Sequence, residues 1–341
     1  MSMPAPELPG GNVVVASAAL ASERGRVWRS LCRGWRTRIS MLVLALFAAA
    51  ALWGEMAYRW AQACDRTPSY AQVDLGARYL PPSIFRHPFT AAENTTGIDV
   101  SAASKLRAGL RALARHPLGT DNLGRDVGRR LIQGARIAFQ VGVVTALIAI
   151  PLGLLLGLLA GYFGGWVDDV VVWLYSTVAA IPGLLFILAI ALVVGKGLTG
   201  VYLGIGLTTW VGLCRLIRGE TLKQREQTYV QAARAMGLGH VRILFRQILP
   251  NVFHLVIITV SLRFPAAVST EVFLSFLGIG VQGEPSWGVM LGNARLRLWQ
   301  GMWWEMTFVT IAIFAVVLAF NLLGDALRDA LDPRASAKGE L

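Results

Sequence analysis

The sequence is poor in charged residues and in the side chains that bind metals. Only 15 % of its 341 residues are charged, against roughly a quarter in soluble domains, and the mean hydropathy is +0.55. This composition excludes both an ordinary soluble enzyme and a disordered chain. The three cysteines, Cys32, Cys64 and Cys214, lie far apart, and the four histidines show no HExxH spacing. We therefore predict neither a metal site nor a disulfide framework.

Motifs of catalysis are missing as well. The sequence has no Gly-x4-Gly-Lys-Ser/Thr phosphate loop, and the nearest piece is Gly195-Lys196-Gly197. The chain is therefore not expected to bind and hydrolyse ATP in that way. No Gly-x-Ser-x-Gly motif or histidine-rich set lies in the apolar runs, which argues against an intramembrane enzyme. We predict no catalytic residue.

Long apolar runs dominate what is present, and several can cross a bilayer core of about 30 Å. They show no period-two alternation, which a membrane barrel would need. The predicted fold class is therefore all-α, a polytopic membrane protein with about six transmembrane helices. The predicted spans are 39–60, a run between Arg136 and Asp168, 170–194, 198–216, a run from Val252, and 306–323.

The runs also divide the chain into segments. These are a basic amino-terminal arm 1–38, the first span 39–60, a polar external segment 61–134, a membrane core 135–327 with an inner loop 217–251, and a tail 328–341. Leucines at helical spacing predict a short amphipathic helix over 101–115 in the external segment.

Lysine and arginine near the ends of the spans predict the orientation, because they concentrate in cytoplasmic loops. With the amino terminus inside, the inner segments hold sixteen such residues and the two short outer loops hold three. The long outer segment, counted up to and including Arg136, holds eleven more, but loops beyond roughly 60 residues weigh little in this rule. Both termini are therefore predicted to be cytoplasmic. The same distribution explains the net charge of +12 better than nucleic-acid binding would.

Glycine and proline mark special positions in the spans. Gly153, Gly157 and Gly161 lie on one face of a helix, where small residues permit close contact between helices. We interpret this face as a contact with a second membrane subunit. Pro151, Pro182 and Pro265 are predicted to kink their spans, and either tight packing or bending that gates a path would account for them.

Two charges fall in the fifth span. Arg263 is near mid-depth, while Glu271 is close to the outer interface. Such residues usually face a bundle interior or a water-filled cavity. They are about 12 Å apart along a helix, too far for a direct ion pair. A structural pairing elsewhere and a role lining a translocation path both remain open.

The inner loop 217–251 is the most informative segment. A helical elbow tied to two spans suits transmission of force from a partner inside the cell better than DNA binding. The pattern predicts a first helix ending at Met236, a left-handed cap at Gly237 and Gly239, a second helix from His240 to Leu249, and the next span beginning at Pro250.

Four motifs in order carry a family resemblance. The inner loop, with Gln231-Ala232-Ala233-x3-Gly237 followed by Ile248-Leu249-Pro250-Asn251, resembles the "EAA" loop of ATP-binding-cassette importer permeases. Three further segments, 116–126, 275–288 and 325–334, resemble the peptide and nickel branch of that family. The combination is similar to the C-type permease of dipeptide and oligopeptide importers. Gln231 stands where the family usually has Glu, and Arg263 and Pro265 are unusual for it.

The resemblance implies an importer-permease fold, with the elbow as the docking site for ATPases. The implied coupling residues are Gln231, Ala232, Ala233, Gly237, Gly239 and Pro250. The charges of the fifth span separately predict Arg263 and Glu271 as residues of the translocation path. The implied partners are a second homologous permease, two ATPase subunits that bind ATP and Mg²⁺, and an extracytoplasmic substrate-binding protein. The chain would lie in a bacterial inner membrane, hold no cofactor itself, and form half of a path for peptides.

Other interpretations of the membrane core remain. A self-contained secondary transporter or channel often carries intramembrane carboxylates and inverted repeats. Glu271 is the only candidate carboxylate, and no inverted repeat is evident. The substrate also stays open, because nickel complexes, glutathione, opines and antimicrobial peptides are handled by similar permeases.

Overall fold

The computed structural model describes residues 34–83 and 116–331, and these residues are helical with no β-strand among them. Five helices are long and apolar enough to cross a membrane, and a bent pair of helices makes a sixth span. The predicted all-α class and the prediction of about six spans are confirmed. The predicted helix over 101–115 lies outside the described residues.

Nine helices are numbered here in chain order through the described part of the chain. α1 begins four residues before the predicted start of the first span, and α2 begins inside the segment predicted to be external. The bounds are α1 Trp35–Ala63, α2 Val127–Phe163, α3 Gly165–Ala180, α4 Gly183–Val194, α5 Leu198–Arg225, α6 Thr228–Ala235, α7 His240–Phe276, α8 Trp287–Arg295 and α9 Trp304–Leu331.

The connections fall at two ends of the bundle. The elbow, residues 226–249, consists of the segment after α5, helix α6 and the first ten residues of α7, and it lies at one end. The loop end, opposite to it, carries residues 64–83, 116–126 and 277–303. Because α1 runs towards the loop end and α9 runs away from it, Trp35 and Leu331 lie at the elbow end.

The third span is broken rather than kinked. α3 and α4 meet at an angle of 90°, at the position where the sequence predicts a bend. Pro182 disfavours a helical conformation at the residue before it, and Ile181 is extended with ψ 132°. Pro151 and Pro265, in contrast, stay inside the continuous helices α2 and α7.

The glycine stripe of α2 packs against α5 of the same chain. A Cβ atom at Gly153 would lie 2.8 Å from the carbonyl oxygen of Trp210, and one at Gly157 would lie 2.8 Å from that of Cys214. At Gly161 it would lie 2.6 Å from Cβ of Thr221. The predicted close helix contact is confirmed, but its assignment to a second subunit is wrong because α5 occupies this face.

The segment 116–126, one of the four motifs, closes the loop end. The Asp121 carboxylate accepts hydrogen bonds from the Leu123 and Arg125 amides, at 2.9 Å each. Asp126 caps α2 by accepting from the Arg129 amide at 3.0 Å, and it contacts Nδ1 of His116 at 2.8 Å. Burial raises the pKa of Asp126, but these two contacts outweigh it and hold the pKa below its usual value. The motif is therefore a structural element.

A buried arginine joins three parts of the loop end. Nε of Arg136 in α2 contacts Oε2 of Glu55 in α1 at 2.6 Å. Nη1 of Arg136 contacts Oε2 of Glu284, in the loop after α7, at 2.8 Å. Gln140 also donates to Glu55, at 2.9 Å. One guanidinium thus forms ion pairs with two carboxylates from different segments.

Replacing Arg136 by methionine should therefore destabilise the protein. The change leaves two partly buried carboxylates without their shared cation, which we expect to cost about 2 kcal/mol, seen as earlier thermal unfolding of detergent-purified protein. Arg59→Met is the matched control, because Arg59 pairs with the same Glu55 but its side chain is 77 % exposed. It should cost less than about 0.5 kcal/mol, and equal losses for both variants would contradict the bridging role.

Candidate coupling elbow and transmembrane pocket

The turn of the elbow depends on a single glycine. α6 ends in a Schellman motif, in which the Leu238 amide donates to the Ala233 carbonyl at 3.1 Å and the Gly237 amide to the Arg234 carbonyl at 2.9 Å. Gly237 has φ +73°, as predicted for a left-handed cap. The same prediction for Gly239 is wrong, because it has φ −63° and serves as the N-cap of α7.

The second helix of the elbow does not stop at Leu249. α7 continues from His240 to Phe276 as one helix, so the predicted break at Pro250 is wrong. Proline lacks an N–H group and its ring crowds the carbonyl four residues before it. The helix widens into a π-helical turn over Leu244–Ile248, in which the Leu249 amide donates to the Leu244 carbonyl. The second helix of the elbow and the fifth span therefore form one continuous helix.

The elbow has an inner face that packs on the bundle. Val230 and Ala233 are completely buried, in a cluster with Tyr162 of α2 and Ile243 of α7. The small size of Ala233 thus serves packing within the chain, and its predicted role in coupling stays a prediction. Gln231 and Ala232 are exposed, and their predicted role in docking stays a prediction.

Polar contacts fix the elbow to its neighbours. The Tyr229 hydroxyl donates to Gln224 of α5 at 2.7 Å and accepts from Asn251 of α7 at 3.0 Å. The Tyr162 hydroxyl, at the end of α2, contacts Nδ1 of His240 at 2.9 Å. The two Tyr229 contacts hold α6 against α5 and α7, and the Tyr162 contact joins the end of α2 to the start of α7.

The outer face of the elbow exposes apolar side chains that the sequence analysis missed. Met236 is 72 % exposed and Val241 70 % exposed, and Phe245 lies beside them. Arg242 and Arg246 flank them on the same helix. The sequence pattern that indicates this exposed surface is the i, i+4 spacing of Val241 and Phe245 after the Gly237 turn. Exposed apolar groups rimmed by charge are typical of protein interfaces.

The two charges of the fifth span do not share an exposed face. Arg263 is partly exposed and lines a pocket between α2, α5 and α7. Glu271 is completely buried, and its Oε1 atom accepts from the Ser275 hydroxyl at 2.7 Å. Ser275 in turn accepts from the Val281 amide at 3.0 Å. Glu271 therefore supports the loop after α7 in this conformation, while its role in a path stays a prediction.

Comparisons with known proteins agree on one family. Residues 153–337 match the family described as binding-protein-dependent transport system inner membrane component. The chain is 40 % identical over 222 residues to the dipeptide transport system permease protein DppC of Bacillus subtilis, covering 65 % of this chain and 69 % of that protein.

Two other relatives give similar values. The glutathione transport system permease protein GsiD of Pectobacterium atrosepticum is 40 % identical, with 64 % of this chain and 73 % of that protein covered. The oligopeptide transport system permease protein OppC of Bacillus subtilis is 35 % identical, with 69 % and 77 % covered. A solved structure of the MetNI methionine ABC transporter aligns at a TM-score of 0.49 and 16 % identity, covering 60 % of this chain and 97 % of that chain.

Proposed function

Because the chain belongs to the family of binding-protein-dependent transport system inner membrane components, we propose that it is one permease subunit of an ATP-driven peptide importer. The chain is a transport component rather than an enzyme. The relatives named above are permeases for dipeptides, oligopeptides and glutathione, which supports peptides as the substrate class. It would form half of the translocation path.

The observation that carries this proposal is the elbow and its continuity with α7. Tyr229 links it to α5 and α7, and its outer face exposes the apolar side chains of Met236, Val241 and Phe245. An ATPase subunit docked on this face could move α7 as a lever. The coupling residues in this proposal are the exposed Gln231 and Ala232, the buried Ala233 behind them and the turn at Gly237, while Gly239 and Pro250 shape the start of α7.

The full assembly in this proposal contains a second homologous permease, two ATPase subunits that bind ATP and Mg²⁺, and an extracytoplasmic substrate-binding protein. Both termini and the elbow would be cytoplasmic, since sixteen basic residues lie on that side against three in the short outer loops. The binding protein would then meet the loop end.

The test is transport by the reconstituted assembly. Proteoliposomes holding this chain, its partner permease and the ATPases should accumulate labelled peptide when the binding protein and ATP are supplied on opposite sides. Omission of this chain, of ATP or of the binding protein should abolish accumulation. Peptide transport by this chain alone, or by the assembly without ATP, would instead identify a secondary transporter or channel.

A further inference from the structure

A pocket with one positive charge lies within the membrane core. It is bounded by α2, α5 and α7 and has a cavity volume of about 70 Å³. Most of its lining is apolar. The polar part consists of four threonines and Arg263.

The charge of Arg263 lies at the middle of the span. Arg263 is eleven residues after Val252 and thirteen before Phe276, or about 16 Å and 20 Å along the helix. A bilayer core is about 30 Å thick, so the side chain lies too deep to reach either interface. Its charge therefore needs a water-filled cavity or a binding partner.

The guanidinium is free to bind a ligand. None of the described residues forms a hydrogen bond or ion pair with Arg263. Gly212 of α5 makes room for it, because a Cβ atom at Gly212 would overlap with Nη2 of Arg263. The structure thus holds a cation in the pocket and assigns it no partner among the described residues.

The threonines supply acceptors. Their hydroxyls all donate to the carbonyl oxygen four residues before them, at 2.7–2.8 Å, so their hydrogens are already used. Each oxygen keeps lone pairs that can accept a hydrogen bond. The residues are Thr145, Thr209, Thr259 and Thr270. The pocket therefore presents a fork of N–H donors beside several hydroxyl acceptors.

We propose that Arg263 binds the carboxylate at the carboxyl terminus of the peptide as it passes through the permease. A guanidinium pairs with a carboxylate through two parallel hydrogen bonds. The amide N–H groups next to that carboxylate match the threonine oxygens. This inference rests on the proposed function and adds a chemical requirement to it: the transported peptide carries a free carboxyl terminus. It makes Arg263 a specificity residue of the path.

The test compares two forms of one peptide. A free-acid peptide and its carboxyl-terminal amide are supplied to the reconstituted assembly, each at a concentration that saturates the binding protein equally. Uptake by Arg263→Met is divided by wild-type uptake of the same peptide, which cancels any preference of the binding protein. We expect at least about a tenfold loss for the acid, since even one of the two hydrogen bonds to a charged group contributes that much. We expect less than a twofold loss for the amide.

Companion variants keep the result interpretable. Arg263→Lys retains the cation and should recover part of the uptake of the acid. Gly212→Ala displaces the guanidinium and should lower uptake of the acid selectively. Gly219→Ala, also in α5, meets no atom within 4 Å and should leave both peptides unaffected.

Two failures are distinguishable. Equal losses of acid and amide in Arg263→Met, or no loss of either, would overturn the carboxylate role while wild-type uptake still supports the permease. If the wild-type assembly moves neither peptide, the proposed function itself fails.

Discussion

Replacing Gly157 by valine is expected to leave almost no folded protein in the membrane. The new Cβ atom would lie 2.8 Å from the Cys214 carbonyl oxygen and 2.9 Å from Cβ of Ile217. The oxygen belongs to the α5 backbone, so relief requires the two helices to separate along the glycine stripe. Overpacking costs about 1–3 kcal/mol where side chains can move, and we expect more here. Size-exclusion chromatography of the tagged protein in detergent measures the folded fraction.

The matched control changes another glycine in the same helix pair. A Cβ atom at Gly219 in α5 would meet no neighbouring atom within 4 Å, and alanine favours a helix by about 1 kcal/mol over glycine. Gly219→Ala should therefore fold as well as the wild type or better. Folding of Gly157→Val at wild-type yield and melting temperature would show that α2 and α5 do not pack as described.

Replacing Gly237 by valine is expected to abolish peptide uptake while the protein still inserts in the membrane. A Cβ atom at this position meets nothing within 4 Å, but φ is +73°, which a β-branched residue rarely adopts. The Schellman turn would open, and the Leu238 amide would lose its hydrogen bond to the Ala233 carbonyl. The elbow would then no longer hold its outer face at the angle that an ATPase partner requires.

Asparagine at the same position separates turn geometry from surface contact. It is also larger than glycine, but it tolerates the left-handed conformation. Gly237→Asn should keep most of the uptake, whereas Gly237→Val keeps almost none at equal expression. Equal loss of uptake in both variants would mean that coupling requires the absence of a side chain at residue 237. Normal uptake by the valine variant would show that the turn is not part of the coupling mechanism. Capture of peptide by the binding protein should stay unchanged throughout.

The apolar runs predict the membrane class well, because a bilayer core imposes a fixed length on each span. Proline also predicts the bend at Pro182, since it acts through its own backbone, but the same argument does not show that Pro151 and Pro265 lie inside continuous helices. The glycine stripe is different. Gly153, Gly157 and Gly161 indicate that another helix approaches closely, but local spacing does not identify that helix. Only the tertiary structure shows that it is α5.

The elbow shows the same limit. The Gly237 turn is predictable because the helix end needs a left-handed residue. The uninterrupted passage through Pro250 is not predictable, because proline usually ends a helix and only the structure shows the π-helical turn that accommodates it. The surface formed by Met236, Val241 and Phe245 was missed for a related reason. From sequence alone, apolar residues near a membrane span are easily assigned to the buried core, and only the structure shows whether they are exposed.

Only the tertiary structure shows how the environments of Arg263 and Glu271 differ. Their separation in sequence correctly excludes a direct pair, but it does not show which charge is accessible. The loop after α7 folds back over Glu271 through Ser275, whereas the glycine at position 212 opens space for Arg263.

Disulfide cross-linking at the elbow tests most directly whether this end of the protein receives the ATPase. Single cysteines are placed at Met236 in the elbow and at the exposed Gln282 at the loop end, in a chain whose Cys32, Cys64 and Cys214 have been replaced. With cysteines scanned across the ATPase surface, Met236→Cys should cross-link to an ATPase subunit, and Gln282→Cys should not. Cross-linking of the ATPase to residue 282 and not to residue 236 would contradict the elbow as the coupling site and reverse the proposed orientation.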